Sequence, residues 1–104
     1  MAQFDVYPNP VEELRDSHPY VLSIQSGLLI RPVAVITVAL AFANVETESS
    51  NTLNPWLKVA GETLVLETLA ITSFDPGDLR RPVANLQADA EAIWDALGYA
   101  LHGY

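Results

Sequence analysis

The run Val33-Ala34-Val35-Ile36-Thr37-Val38-Ala39-Leu40 constrains the fold more than any other part of this chain. β-Branched residues dominate it, and polar positions do not alternate with apolar ones. Such a run reads as a strand covered on both faces, not as the half-solvated strand of an open sheet. The strand needs packing partners on two sides, and the chain has 104 residues to supply them. At roughly 100–150 residues per domain, that length makes a single domain over residues 1–104. A chain of this size buries roughly 60–70% of the surface its unfolded form exposes. The strand carries more apolar surface than so modest a core easily hides, so a homodimer is the expected arrangement, with the excess covered by a second copy.

Around this strand, the first four-fifths of the chain reads as short strands and turns. Phe4-Asp5-Val6-Tyr7 alternates and stops at Pro8-Asn9-Pro10. Tyr20-Val21-Leu22-Ser23-Ile24-Gln25 follows the turn at Asp16-Ser17-His18-Pro19. Residues 45–54 are polar and read as an exposed loop. Trp56-Leu57-Lys58-Val59 and Thr63-Leu64-Val65-Leu66-Glu67 flank Ala60-Gly61-Glu62, which predicts a hairpin with glycine at the tight position. A further strand is expected from Leu69 to Phe74, closed by the turn Asp75-Pro76-Gly77-Asp78. From Gln87 the period changes to that of a helix. Ala90, Ile93, Trp94, Leu97 and Leu101 fall three or four apart and form one apolar stripe predicted to face the body. Asn85 is the expected N-cap, and Gly103 the stop.

Thirteen acidic residues against five Lys and Arg leave a formal charge of −8. That balance opposes direct binding to nucleic acid and to anionic membrane surfaces. It suits a basic partner. The absence of cysteine excludes a disulfide framework and a thiolate metal site. No secretory leader or spanning segment is expected, since the N-terminus lacks a basic region and the longest apolar stretch is interrupted by Arg31 and Pro32. A soluble protein in a cytoplasmic setting is expected.

Catalytic candidates are few. His18 and His102 are the two histidines. His18 precedes a proline and reads as a surface turn residue; a Ser-His-Asp set drawn from Ser26, His18 and Asp16 has nothing in the sequence to fix its geometry. His102 with Asp95 or Glu91 shares a helix face but offers fewer than the three converging ligands a metal needs. Arg80-Arg81 reads as a charged strand end. With no phosphate loop, dinucleotide fingerprint or zinc pattern, no catalytic residue, metal or cofactor is assigned, and the residues point to a binding protein rather than an enzyme.

The order of segments resembles the CcdB family of toxins. The resemblance is carried by Gln3-Phe4-x-Val6-Tyr7, by Pro19-Tyr20-Val21-x-x-Ile24-Gln25-Ser26-x-Leu28-Leu29, and by Leu53-Asn54-Pro55-Trp56-Leu57. Thr72-Ser73-Phe74, Pro82-Val83-Ala84-Asn85-Leu86 and a helix ending in the penultimate Gly103 complete it. It implies an α+β, mainly β fold: a small antiparallel barrel-like sheet, a smaller sheet and one C-terminal helix, an architecture shared with MazF-type toxins. It also implies a homodimer, the toxin of a bacterial toxin–antitoxin pair, which binds the DNA gyrase A subunit and traps the enzyme on cleaved DNA. An antitoxin with a disordered C-terminal tail would neutralise it, and the −8 surface predicts a basic tail that folds on binding.

The family's gyrase contact is its last three residues, commonly Trp-Gly-Ile. The matching positions here are His102, Gly103 and Tyr104. His102 keeps a flat ring able to stack on a guanidinium, and Tyr104 keeps bulk while adding a hydroxyl. Other departures are Ala34 and Val35 where the family has arginines, Ala39 where it has proline, and Ser73-Phe74-Asp75-Pro76 where it has Ser-Val-Pro-Val. Two alternatives accompany the gyrase poison. One is a CcdB-like protein without gyrase poisoning that binds an antitoxin or acts in regulation. The other, a MazF-like mRNA interferase, is disfavoured by the scarcity of basic residues.

Overall fold

The apolar run becomes the middle of a curled sheet. The computed structural model describes residues 2–29, 32–43 and 51–103. Among them six antiparallel strands form one sheet: β1 (Asp5–Pro8), β2 (Tyr20–Ser23), β3 (Val35–Phe42), β4 (Trp56–Val59), β5 (Glu62–Phe74) and β6 (Ala84–Asn85). Their spatial order is β4-β5-β3-β2-β1-β6. The sheet rolls into a nearly closed barrel, and one C-terminal helix, α1 (Ala90–His102), packs against it. The fold is mainly β with one helix, as expected. The smaller sheet is the part beyond a bulge in β5, continuous with the rest through that strand.

β3 starts at Val35 rather than Val33 and runs on to Phe42. The Gln25 side chain explains the late start. Its Nε2 donates to Ala34 O at 2.9 Å and its Oε1 accepts from Ile36 N at 3.2 Å, so a side chain takes over where the backbone ladder from β2 ends at Ser23 and Thr37. Val38 and Leu40 point into the barrel, while Val35 and Thr37 are buried on the opposite face. Coverage on both faces therefore holds for the middle of the strand. It fails at Ile36 and Phe42, 41% and 37% exposed.

The expected hairpin forms, with Val59 paired to Glu62 and Ala60-Gly61 as its two-residue loop. Ala60 at φ 51° and Gly61 at φ 84° both lie in the left-handed region that this tight turn demands. The strands expected at residues 63–67 and 69–74 are one strand with a bend. Val38 pairs with Ile71 and the next residue, Ala39, with Glu67, so Thr68, Leu69 and Ala70 have no partner on β3. The backbone N–H of Thr68 donates to Asn54 Oδ1 at 3.2 Å, and its buried hydroxyl donates to Leu53 O. The excess residues are thus fastened to the segment before β4. Of the loop expected over residues 45–54, residues 45–50 lie outside those described.

Phe4, expected within the first strand, instead stands just before it at φ 68° with its ring fully buried. Its N–H donates to Ser23 O at 2.7 Å and its carbonyl accepts from Leu86 N at 2.9 Å, which holds a bulky residue in a backbone region it rarely visits. The ring meets Trp94 edge-on, centroids 5.5 Å apart at 69°. Asn85 is not the N-cap of α1, a position that Asp89 holds; its Oδ1 instead accepts from Gln87 N at 2.9 Å, ahead of a 3-10 turn, Gln87–Asp89, that leads into α1. Only part of the predicted stripe faces the body. Ile93, Ala96 and Leu97 are buried, whereas Trp94 is 49% and Leu101 68% exposed. Leu101 lies one turn beyond Leu97, so the last turn of α1 stands clear of the barrel.

On the outer face of the sheet Tyr7, Val21, Val35 and Leu79 make a second cluster, with Phe74 against it. Burial, and then the Asp5 carboxylate beside it, push the Tyr7 phenol up to about 12, so it stays a neutral donor to Asp5 Oδ2 at 3.3 Å.

The hairpin yields a direct test. An L-residue in the left-handed region costs roughly 1–2 kcal/mol, and asparagine tolerates it better than alanine. Ala60→Asn is expected to raise the melting temperature by a few degrees, since Asn-Gly is the favoured pair for this turn. A melt unchanged or lowered would show that Ala60 carries no strain.

Candidate functional site

The middle of α1 anchors its projecting C-terminal end. Ile93, Ala96 and Leu97 hold the helix on the barrel mouth, and Phe4 braces Trp94 from below. Gly103, at φ 82°, ends the helix in the left-handed cap and donates its N–H to Tyr99 O at 3.0 Å. His102 and Gly103 are both exposed there, side by side, and Tyr104 lies outside the described residues. Trp94 and Leu101 stand seven positions apart, two turns along one side of the helix, so an apolar surface leads up to His102 and Gly103. This surface was missed in the sequence because the heptad spacing that exposes it is the same spacing that suggests burial.

A second cluster gathers around His18, which is not the simple turn residue its neighbours suggest. His18 Nδ1 lies 2.7 Å from Ser17 Oγ, and Nε2 lies 2.7 Å from Glu67 Oε2. The set imagined from Ser26, His18 and Asp16 is not assembled, and Ser26 Oγ instead accepts from Leu28 N at 3.1 Å. The Ser17–His18–Glu67 chain has the connectivity of a nucleophile, a base and an orienting acid. The amides nearest the hydroxyl, those of Ser17 and His18, both donate to Leu14 O and are not available to hold an oxyanion. The cluster works as a clasp. It ties the segment between β1 and β2 to β5 immediately before the bulge, and Phe42 N donates to Ser17 O at 3.0 Å alongside it. Asn9 organises the same segment from inside: it is 3% exposed, its Nδ2 donates to His18 O at 2.9 Å, and its Oδ1 accepts from Val11 N at 2.9 Å. His18 and Glu67 are 49 residues apart, and no local signal joins them.

Of the basic pair, Arg80 has a structural place: its Nε donates to Gly77 O at 3.0 Å, closing the turn that follows β5. Among the described residues no helix is long and apolar enough to cross a membrane. Because the clasp is partly exposed, its removal should cost no more than about 1 kcal/mol of global stability. Its effect should be local. His18→Ala is expected to speed hydrogen exchange at the Phe42 amide several-fold while the melt moves little. Unchanged protection at Phe42 would show that the segment is held without the clasp.

Comparison with curated proteins finds none that matches this chain. The family model described as CcdB protein matches residues 3–103, from Gln3 ahead of the first strand through the helix cap at Gly103. The chain therefore belongs to the CcdB family, the toxins of toxin–antitoxin pairs.

Proposed function

We propose that this protein is a homodimeric toxin that acts in the bacterial cytoplasm by binding the DNA gyrase A subunit through His102, Gly103 and Tyr104, and that it traps the gyrase–DNA cleavage complex without catalysing a reaction itself. The observation that carries this reading is the exposed end of α1, with Trp94 and Leu101 extending the apolar surface behind it. A contact on a helix that is anchored by Ile93, Ala96 and Leu97 loses little conformational freedom on binding. Trapping requires only that the tail bind the cleaved state of gyrase more tightly than the religated state. Direct contact with DNA is no part of it, consistent with a charge of −8. The same charge favours an antitoxin with a basic, disordered tail.

The dimer is supported by the sheet. Ile36 and Ile71 lie on the same face of the β3–β5 pair as the buried Val38, and they are 41% and 44% exposed. Sedimentation at micromolar concentration is expected to show a dimer, and Ile71→Glu to shift it towards monomer. A wild-type monomer would remove the dimer from this reading.

A second reading, a CcdB-like protein that binds an antitoxin but does not poison gyrase, is favoured by His102 and Tyr104 standing where the family commonly has tryptophan and isoleucine. One experiment separates the two. Purified protein with gyrase and supercoiled plasmid should yield linear plasmid, and deletion of residues 102–104 should abolish it with the melt unchanged. Leu97→Ala, by contrast, should lower stability by about 2–5 kcal/mol through a core cavity. No linear plasmid from the wild type would favour the second reading; linear plasmid from the deletion variant would show that the tail is not the contact. RNA left intact by the wild type would dismiss the mRNA interferase.

A further inference from the structure

A cavity of about 160 Å³ lies beneath the segment that joins β1 to β2. Val11, Leu14 and His18 wall it from the segment, and Val21, Ala39 and Phe74 from the outer face of the sheet. Two small residues leave the space open: Ala39, on β3 directly after the register shift, and Ala70, within the β5 bulge. His18, held by Glu67, stands in its wall.

The polar side chains around the cavity are engaged elsewhere. The Asn9 amide is bonded to His18 O and Val11 N. The Thr37 hydroxyl donates to Thr72 O at 2.8 Å, and both His18 nitrogens are held by Ser17 and Glu67. Thr72 is exposed and stands at the rim. A charged or strongly hydrogen-bonding guest would lose its water and gain no partner inside. The space is open on one side, where Val11 and Leu14 are exposed, and a neutral apolar guest gains from burial against the sheet. Size sets the other bound, since apolar protein cavities of about 150 Å³ stay dry and take up benzene.

We propose that this cavity is a binding site for a free, neutral small molecule with the bulk of one aromatic ring, seated between Val21 and Phe74 on the sheet and Leu14 on the segment. The site is independent of the gyrase reading, because it lies on the outer face of the sheet and uses none of the residues of α1. A guest here bridges the segment and the sheet, so its binding tightens the same region that the clasp holds. Binding to the folded state alone raises the melting temperature in proportion to the logarithm of guest concentration above its dissociation constant.

The test uses benzene with the full chain. Intermolecular NOEs are expected from bound benzene to the Val21 methyls and the Phe74 ring, together with a dose-dependent rise in melting temperature. Benzoate, of similar size but charged, should bind at least about tenfold more weakly. Ala39→Leu places a side chain in the cavity and should remove both the NOEs and the benzene-dependent shift; Ala70→Leu serves if Ala39→Leu does not fold. Absence of NOEs to Val21 and Phe74 at saturating benzene would overturn the proposal. So would NOEs confined to Trp94 and Leu101, or a benzene shift that persists in a folded cavity-filled variant.

Discussion

The bulge in β5 is the feature on which the rest of the molecule depends. A strand of 13 residues, Glu62–Phe74, pairs with the 8 residues of β3, and Thr68, Leu69 and Ala70 are left over between the two paired stretches. An unpaired excess of this kind bends a strand and increases its twist. Thr68 makes the bend permanent. It is fully buried, and both its backbone N–H and its hydroxyl are satisfied by the segment before β4. An alternative register would strand those polar groups inside the protein, at about 1–3 kcal/mol each. The bend carries β4 round until Leu57 and Val59 share one core with Val6, Leu22 and Ile93. It also sets Glu67 opposite His18 and leaves Ala70 at the cavity. Barrel, clasp and cavity have one origin.

This also explains which parts of the fold can be read from the chain. The Ala60-Gly61 hairpin is legible because its cause is local: two neighbouring residues adopt positive φ and the strands follow. The bond from Gln87 N to the Asn85 side chain is local in the same way, but where α1 begins, at Asp89, is not. The bulge is not legible, because nothing within residues 63–74 distinguishes one bent strand from two straight ones; Leu53 and Asn54 decide it from outside. The His18–Glu67 contact is equally hidden. Helical periodicity finds α1 but not how far the barrel beneath it extends, so it cannot tell the buried Leu97 from the exposed Leu101.

The candidate site is legible to a different degree. Composition, through the charge of −8, argues against a nucleic-acid groove but names no partner. His102, Gly103 and Tyr104 stand out only by resemblance to the CcdB family, since three residues at a chain end carry no pattern of their own. What the structure adds is the mount: a left-handed cap at Gly103 and an exposed Trp94–Leu101 side, braced by Phe4. Phe4 itself departs from its backbone preference, and it does so where the first strand, the second strand and the helix must meet. The strain is accepted because two backbone hydrogen bonds and a buried ring all require the same position.

The exposed end of α1 and the cavity are separated by the sheet itself. Successive residues of β2 point to opposite sides, so Leu22 packs with the helix that mounts the tail, while Val21 lines the cavity. A substitution in the cavity reaches the tail only by moving the strand between them, and that strand is held on one side by β1 and on the other by β3. Sites that share no side-chain partners usually contribute additively. Coupling between them would need an element with two discrete arrangements. The clasped segment is the natural candidate, because its attachment to β5 through His18 and Glu67 is partly exposed, whereas β2 and β3 beneath it are joined by an unbroken antiparallel register from Tyr20–Leu40 to Ser23–Thr37. Any influence of a cavity guest on a partner would therefore act through the segment between β1 and β2, and not through the helix end.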